Sequence, residues 1–160
     1  MDFLTLLQRL HKHSTEFVVV GGYASMLLGS DMLTQDLDIC VRLSSENLNR
    51  IYDSVDDLNP RYRMGPDKKT ITREMATADS IKNLYLQTDL GSLDCLGRIE
   101  GLGDYDLVLQ YAREIKLDFG TIKTLDFDGL IIAKSALKRQ KDILTVKKLE
   151  AIRSHLKKDS

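Results

Sequence analysis

The chain has 160 residues, 42% of them hydrophobic and 29% charged, with a formal net charge of −1. Those values suit a single domain over residues 1–160 with a core of its own, and two cysteines without Cys-x-x-Cys spacing, Cys40 and Cys95, do not indicate a disulfide scaffold or a zinc site. No apolar run approaches the roughly 20 residues that span a bilayer and no basic-then-apolar leader opens the chain, so a cytoplasmic protein without a membrane partner is expected.

In chain order, residues 2–12 read as a helix, because Phe3, Leu6, Leu7 and Leu10 recur at three- and four-residue steps. Phe17–Val20 is a short apolar run ended by Gly21 and Gly22, which suits a buried strand and a turn. Tyr23–Leu28 reads as a compact helix closed near Gly29. Leu37–Val41 is a second strand, with Leu37, Ile39 and Val41 on one face and Asp36, Asp38 and Cys40 on the other. Ser44 or Ser45 caps a helix whose apolar stripe is Leu48, Ile51, Tyr52, Val55 and Leu58. Residues 59–69 hold both prolines and read as a loop. Strands are expected near 70–75, 83–87, 92–96, 115–119 and 121–125. Two helices close the chain, at 129–140 and 142–157, the last burying Ile143, Val146, Leu149, Ile152 and Leu156.

Charge is unevenly spread. Residues 1–133 carry 14 Lys/Arg against 21 Asp/Glu, and residues 134–160 carry 9 against 3. Such asymmetry marks either a phosphate or RNA surface or a solvated helical tail.

The chemistry concentrates between residues 17 and 38. Residues two apart on a strand advance about 6.5 Å and point the same way, so Asp36 and Asp38 can grip neighbouring hard cations such as Mg²⁺. Asp94 is the third candidate, since a lone acid in the apolar run Leu93–Leu96 needs a partner. It would complete a second metal site and help activate an incoming hydroxyl. Gly21 and Gly22 allow a sharp turn and close approach of a ligand, and the helix start beyond them favours phosphate. Ser25 offers a hydroxyl there, or else serves its own helix. A P-loop is excluded because Gly-x-x-x-x-Gly-Lys-Ser/Thr is absent, and Gly101-x-Gly103 lacks the context of a dinucleotide fingerprint. Asp89, Asp104 and Asp106 lie beside glycines or in turns and read as surface acids. Asp142 reads as a helix cap, and His11, His13 and His155 have no mutual ligand spacing.

Val20-Gly21-Gly22, Asp36-Leu37-Asp38 and Asp94, in that order, resemble the nucleotidyltransferase superfamily with a polymerase-β-like fold. Gly21-Gly22-Tyr23-Ala24 is similar to the turn of small bacterial nucleotidyltransferases of the minimal and abortive-infection toxin-like groups. Lys134, Arg139, Lys141 and Asp142 match basic and Lys-Asp positions that those groups carry near the C-terminus. The likeness runs from about residue 15 to 150. It implies an α+β fold, a mixed β-sheet flanked by helices with C-terminal helices beyond. It also implies Mg²⁺ or Mn²⁺ held by Asp36, Asp38 and Asp94, and an NTP bound through Gly21, Gly22, Ser25, Lys134 and Arg139. The activity implied is transfer of an NMP to a hydroxyl of RNA, protein or a small molecule. One departure is Met32, which stands where relatives often have Arg before Thr-x-Asp. Because a guanidinium there is missing, a non-catalytic binding or regulatory module, such as a toxin–antitoxin component with a cognate protein partner, is the second reading. A nucleic-acid-binding protein without chemistry is the third, resting on the basic tail alone.

Overall fold

A computed structural model describes residues 1–159. Helix α1 (Phe3–Lys12) begins at Asp2, whose carboxylate accepts from the Thr5 N–H at 3.0 Å, and it buries Phe3, Leu6, Leu7 and Leu10. Strand β1 (Phe17–Val20), buried throughout, runs directly into α2 (Gly21–Leu27). Strand β2 (Asp36–Val41) returns antiparallel to β1. Helix α3 (Ser45–Val55) starts at Ser44, which accepts from the Asn47 N–H at 3.1 Å, and lies beside α1. There follow β3 (Arg61–Tyr62), α4 (Arg73–Ala76), β4 (Asn83–Thr88), β5 (Gly91–Leu96), a small hairpin of β6 (Arg98–Ile99) and β7 (Gly103–Asp104), and α5 (Tyr105–Leu109). The hairpin β8 (Ala112–Leu117) and β9 (Gly120–Leu125) leads into α6 (Phe127–Leu137) and α7 (Gln140–Lys158).

Seven strands form one sheet in the order β3-β4-β5-β2-β1-β9-β8. It is mixed, with β2 parallel to β5 and β1 parallel to β9, and every other pair antiparallel. The fold is therefore α+β, a mixed sheet flanked by helices, as the resemblance implies. Cross-strand register organises the two faces. Leu37, Leu93 and Leu86 share one rung, and Val19, Ile39, Cys95 and Leu84 the next, all buried. The alternate rungs carry the polar residues: Asp36, Ser92 and Gln87, then Asp38, Asp94 and Tyr85 with Val20 beside Asp38. A slip of one residue in β2 would send both aspartates into the leucine layer, so apolar burial fixes where the acids point. Both cysteines are buried, and burial pushes the Cys40 thiol up to about 12.

Four expectations are corrected. Residues 70–75 are not a strand: Thr70 makes one isolated bridge to Arg61, and Thr72 caps α4 by accepting from the Met75 N–H at 3.3 Å. The loop at 59–69 contains β3, whose partner is β4. The last helix turns a different side inward. It buries Asp142, Thr145 and Leu149, whereas Ile143 and Leu156 are each 52% exposed. Asp142 is not its cap either. Lys138 takes a left-handed backbone (φ 56°), which ends α6, and the next helix restarts at Gln140, ahead of Asp142.

Candidate active site

Asp38 and Asp94 are paired residues on neighbouring parallel strands, and Asp36 is two residues before Asp38 on the same face. The carboxyls of Asp38 and Asp94 lie within hydrogen-bonding reach of each other. Burial pushes the Asp38 carboxyl up to about 6, helped by the negative charges of Asp94 and Asp36 and opposed by Lys134. Burial also raises Asp94, opposed by Arg63. Three acids from two separate strands thus share one floor and repel one another.

The glycine pair shapes that floor. Gly21 adopts φ +66°, and a Cβ there would fall 2.5 Å from Asp38 Oδ2. A Cβ on Gly22 would fall 2.8 Å from Thr34 Cβ and Oγ1. Each glycine is thus the space into which a neighbouring side chain fits. Thr34 Oγ1 in turn donates to the Asp36 carbonyl at 3.0 Å, tying the approach to β2 back onto its first residue. No side chain caps α2. Ser25 is buried, and its hydroxyl donates to the Gly21 carbonyl at 3.4 Å.

Helices α6 and α7 supply the opposite wall. The Lys134 side chain, 17% exposed, stands 4.0 Å from Asp142 Oδ1, and burial lowers its pKa while Asp142 and Asp38 oppose the shift. Burial alone would raise the Asp142 carboxyl, but the hydrogen-bonded Arg139 guanidinium, with Lys134 and Lys141, holds it below its usual range. Arg139, expected to stand ready for phosphate, is thus folded onto Asp142. Met32 accepts from the Thr145 hydroxyl at 3.2 Å, so its thioether packs on α7 where a guanidinium was expected.

Between floor and wall lies a polar cleft of ≈ 520 Å³, bordered by Gly22, Ser25, Asp36, Asp38, Asp94 and Lys134 among others. Beside it is a mainly apolar recess of ≈ 200 Å³ that includes Gly21, Leu96, Ile99, Leu130 and Leu137, and shares Asp38, Lys134 and Arg139 with the cleft. The two glycines therefore open on different spaces. All eight expected site residues border one space or the other. Asp89, Asp104 and Asp106 border neither, and Asp104 instead caps α5.

Arg63 lies in the 59–69 stretch that the sequence reads as a loop, where its charge suits an acceptor-side loop or ordinary surface and nothing ties it to the acids. Its Nε donates to Asp94 Oδ1 at 3.1 Å, and a terminal amino group donates to Oδ2. The only sequence signal for it was the requirement that Asp94 have a partner. Nothing in the spacing selected an arginine 31 residues earlier over a metal.

No family model matches the chain, and no curated protein matches it. Solved structures do. A provisionally assigned nucleotidyltransferase from Thermotoga maritima superposes with a TM-score of 0.52 at 17% identity, over 99% of this chain and 96% of that one. An antigenic nucleotidyltransferase-like protein from Paracoccidioides brasiliensis gives a TM-score of 0.53 at 18% identity, over 91% of this chain and 72% of that one. The chain has a nucleotidyltransferase-like fold.

For that fold a divalent cation is the group to test against the residues present. The donor set fits in type: hard carboxylate oxygens on one floor, whose mutual repulsion a cation would relieve. It is not a finished cage, since among the described residues no group of three or more His, Cys, Asp or Glu is arranged to hold an ion. Nor is any helix among them long and apolar enough to cross a membrane.

Proposed function

We propose that this protein of nucleotidyltransferase-like fold transfers an NMP from an NTP to a hydroxyl acceptor, with Mg²⁺ or Mn²⁺ held by Asp36, Asp38 and Asp94. One observation carries this: Asp38 and Asp94 stand in register on parallel strands, with Asp36 on the same face. When bound, the cation supplies charge neutralisation and polarisation at the α-phosphorus. The remaining work belongs to the chain. Gly22 at the start of α2 and Ser25 about a turn further on border the polar cleft and receive the triphosphate. Lys134, held by Asp142 and little exposed, faces its charge from the opposite wall. Arg139 joins it by leaving Asp142 for a phosphate oxygen. Asp94 takes the proton of the acceptor hydroxyl. The acceptor is an RNA, a protein or a small molecule.

The test is transfer of label from each α-labelled NTP, with Mg²⁺ or Mn²⁺, to those acceptor classes. Label incorporation and pyrophosphate release are expected, and Asp38→Asn should abolish both. Absence of any metal-dependent triphosphate binding would overturn the proposal.

A second reading, a non-catalytic binding or regulatory module of toxin–antitoxin type, is favoured by Arg63 on Asp94 and by the Met32 thioether. It expects a cognate protein to co-purify and Asp38→Asn to leave the biology intact.

A further inference from the structure

We infer that Arg63 is a built-in stand-in for the cation at the third carboxylate, and that a divalent ion gains Asp94 only by displacing its guanidinium. The inference deepens the metal-dependent reading and rests on it.

The geometry is specific. The guanidinium fork takes up both oxygens of Asp94, whose side chain is only 8% exposed, so while the fork is seated Asp94 has little left to offer an ion. The arginine head also feels the charges of Asp36 and Asp38, and so balances all three acids from one position. Without a counter-charge, three carboxylates on a partly buried floor would be costly. Arginine suits a temporary role because it stays charged and binds carboxylate bidentately without burying its whole length. The Arg63 side chain remains 29% exposed, so it has a route out.

The backbone is arranged for a side-chain swing rather than a loop movement. The Arg63 N–H donates to the Tyr85 carbonyl at 2.9 Å, and the preceding Tyr62 N–H donates to the Lys69 carbonyl at 2.8 Å. Tyr85 stands directly across from Asp94 on β4, and its ring lies 5.7 Å from the guanidinium carbon. The residue is thus pinned at the sheet edge while its head rests between an aromatic face and a carboxylate. A purely structural ion pair and a stand-in cation differ in one respect: only the second makes the cost of removing Arg63 recoverable by metal.

Mn²⁺ titration followed by electron paramagnetic resonance separates these cases, using the full chain as wild type, Arg63→Gln, Asp94→Asn, Asp38→Asn and the Arg63→Gln/Asp94→Asn double variant. Removal of a bidentate charged competitor should tighten Mn²⁺ binding in Arg63→Gln by about tenfold or more. The double variant should bind no better than Asp94→Asn alone, because the advantage passes through Asp94. Mg²⁺ should also raise the thermal midpoint of Arg63→Gln by more than that of wild type. Equal Mn²⁺ affinity in wild type and Arg63→Gln, with binding still lost in Asp38→Asn, would overturn the role of Arg63 and leave the metal reading standing. No binding by any form would instead remove the metal reading itself. Should Arg63→Gln fail to fold, the wild-type protein answers the question by ¹⁵N NMR. The Arg63 Nε–H signal, protected without metal, should move and exchange with solvent when Mg²⁺ is added. A signal unmoved at saturating Mg²⁺ would refute the displacement.

Discussion

Asp38 is held at a loss. Its carboxyl titrates at about 6 in the folded chain, against an ordinary value of 3.8, because burial and two neighbouring acids disfavour its charge. The sign follows from linkage. An acid whose folded pKa is raised costs nothing well below its unfolded value, destabilises progressively as pH rises from the unfolded value to the folded one, and costs a constant amount above that. In metal-free buffer, Asp38→Asn should therefore unfold later than wild type at pH 8, by on the order of 2 kcal/mol after allowing for partial solvent screening. The difference should vanish near pH 4, and urea titrations at the two pH values measure it. Gly21 is coupled to the same carboxylate. Gly21→Ala would place a methyl at φ +66° and 2.5 Å from Asp38 Oδ2, so it should cost about 1–2 kcal/mol for the backbone alone and displace the acid besides. Thermal melts and the transfer assay should both register it. The acids and glycines were legible in the sequence because each breaks a local rule: a charge inside an apolar strand, two glycines between strand and helix. Arg63 broke none. A charged residue in a polar loop beside Pro60 and Pro66 looks like solvent-facing surface until the sheet closes and places it against Asp94.

At the scale of elements, periodicity located the longer helices, though not α4 or α5, and did not say which side the tertiary structure needs. The apolar count along α7 selected Ile143, Val146, Leu149, Ile152 and Leu156, yet the inward stripe contains Asp142, Thr145, Leu149 and the partly buried Ile152. The first turns of that helix border a polar cleft, so polar residues are the ones buried there: Asp142 fixes Arg139 and Lys134, and Thr145 meets Met32. Only from Leu149 onward does the helix reach the apolar core. The two stripes share Leu149 and part at Ile143, which only the apolar count would bury. Leu149→Ala should lower stability by about 2–5 kcal/mol, the cost of a cavity in a packed core, whereas Ile143→Ala should stay within about 0.5 kcal/mol of wild type. Denaturation midpoints of the two variants decide which side the helix presents. Strands β2 and β5 were easier to read, since the leucine layer dictates a period of two and leaves no alternative face. Residues 70–75 were misread as a strand because Ile71 is buried without belonging to one, and the Thr72 cap of α4 was the stronger local signal.

Across the whole molecule, charge is divided between the two sides of one cleft. The acids come from the sheet, and the cations Lys134, Arg139 and Lys141 come from the C-terminal helices, where Lys/Arg outnumber Asp/Glu nine to three over residues 134–160. The parallel pairing of β9 with β1, sealed by Thr124 Oγ1 donating to the Val19 carbonyl at 3.3 Å, joins the C-terminal half to the sheet. This division predicts how the molecule answers a divalent ion. Cation binding requires deprotonated carboxylates, so protons compete with it wherever the site acid is neutral. With Asp38 titrating at about 6, the rise in thermal midpoint caused by millimolar Mg²⁺ should be clear at pH 7.5 and largely gone at pH 5. Matching the ionic strength with NaCl removes general screening from the comparison. In Asp38→Asn the Mg²⁺ response should be small at both pH values. A response of equal size at pH 5 and pH 7.5, or one that survives in Asp38→Asn, would mean that the ion binds somewhere other than this floor, and the acids would then have to be explained by Arg63 and Lys134 alone.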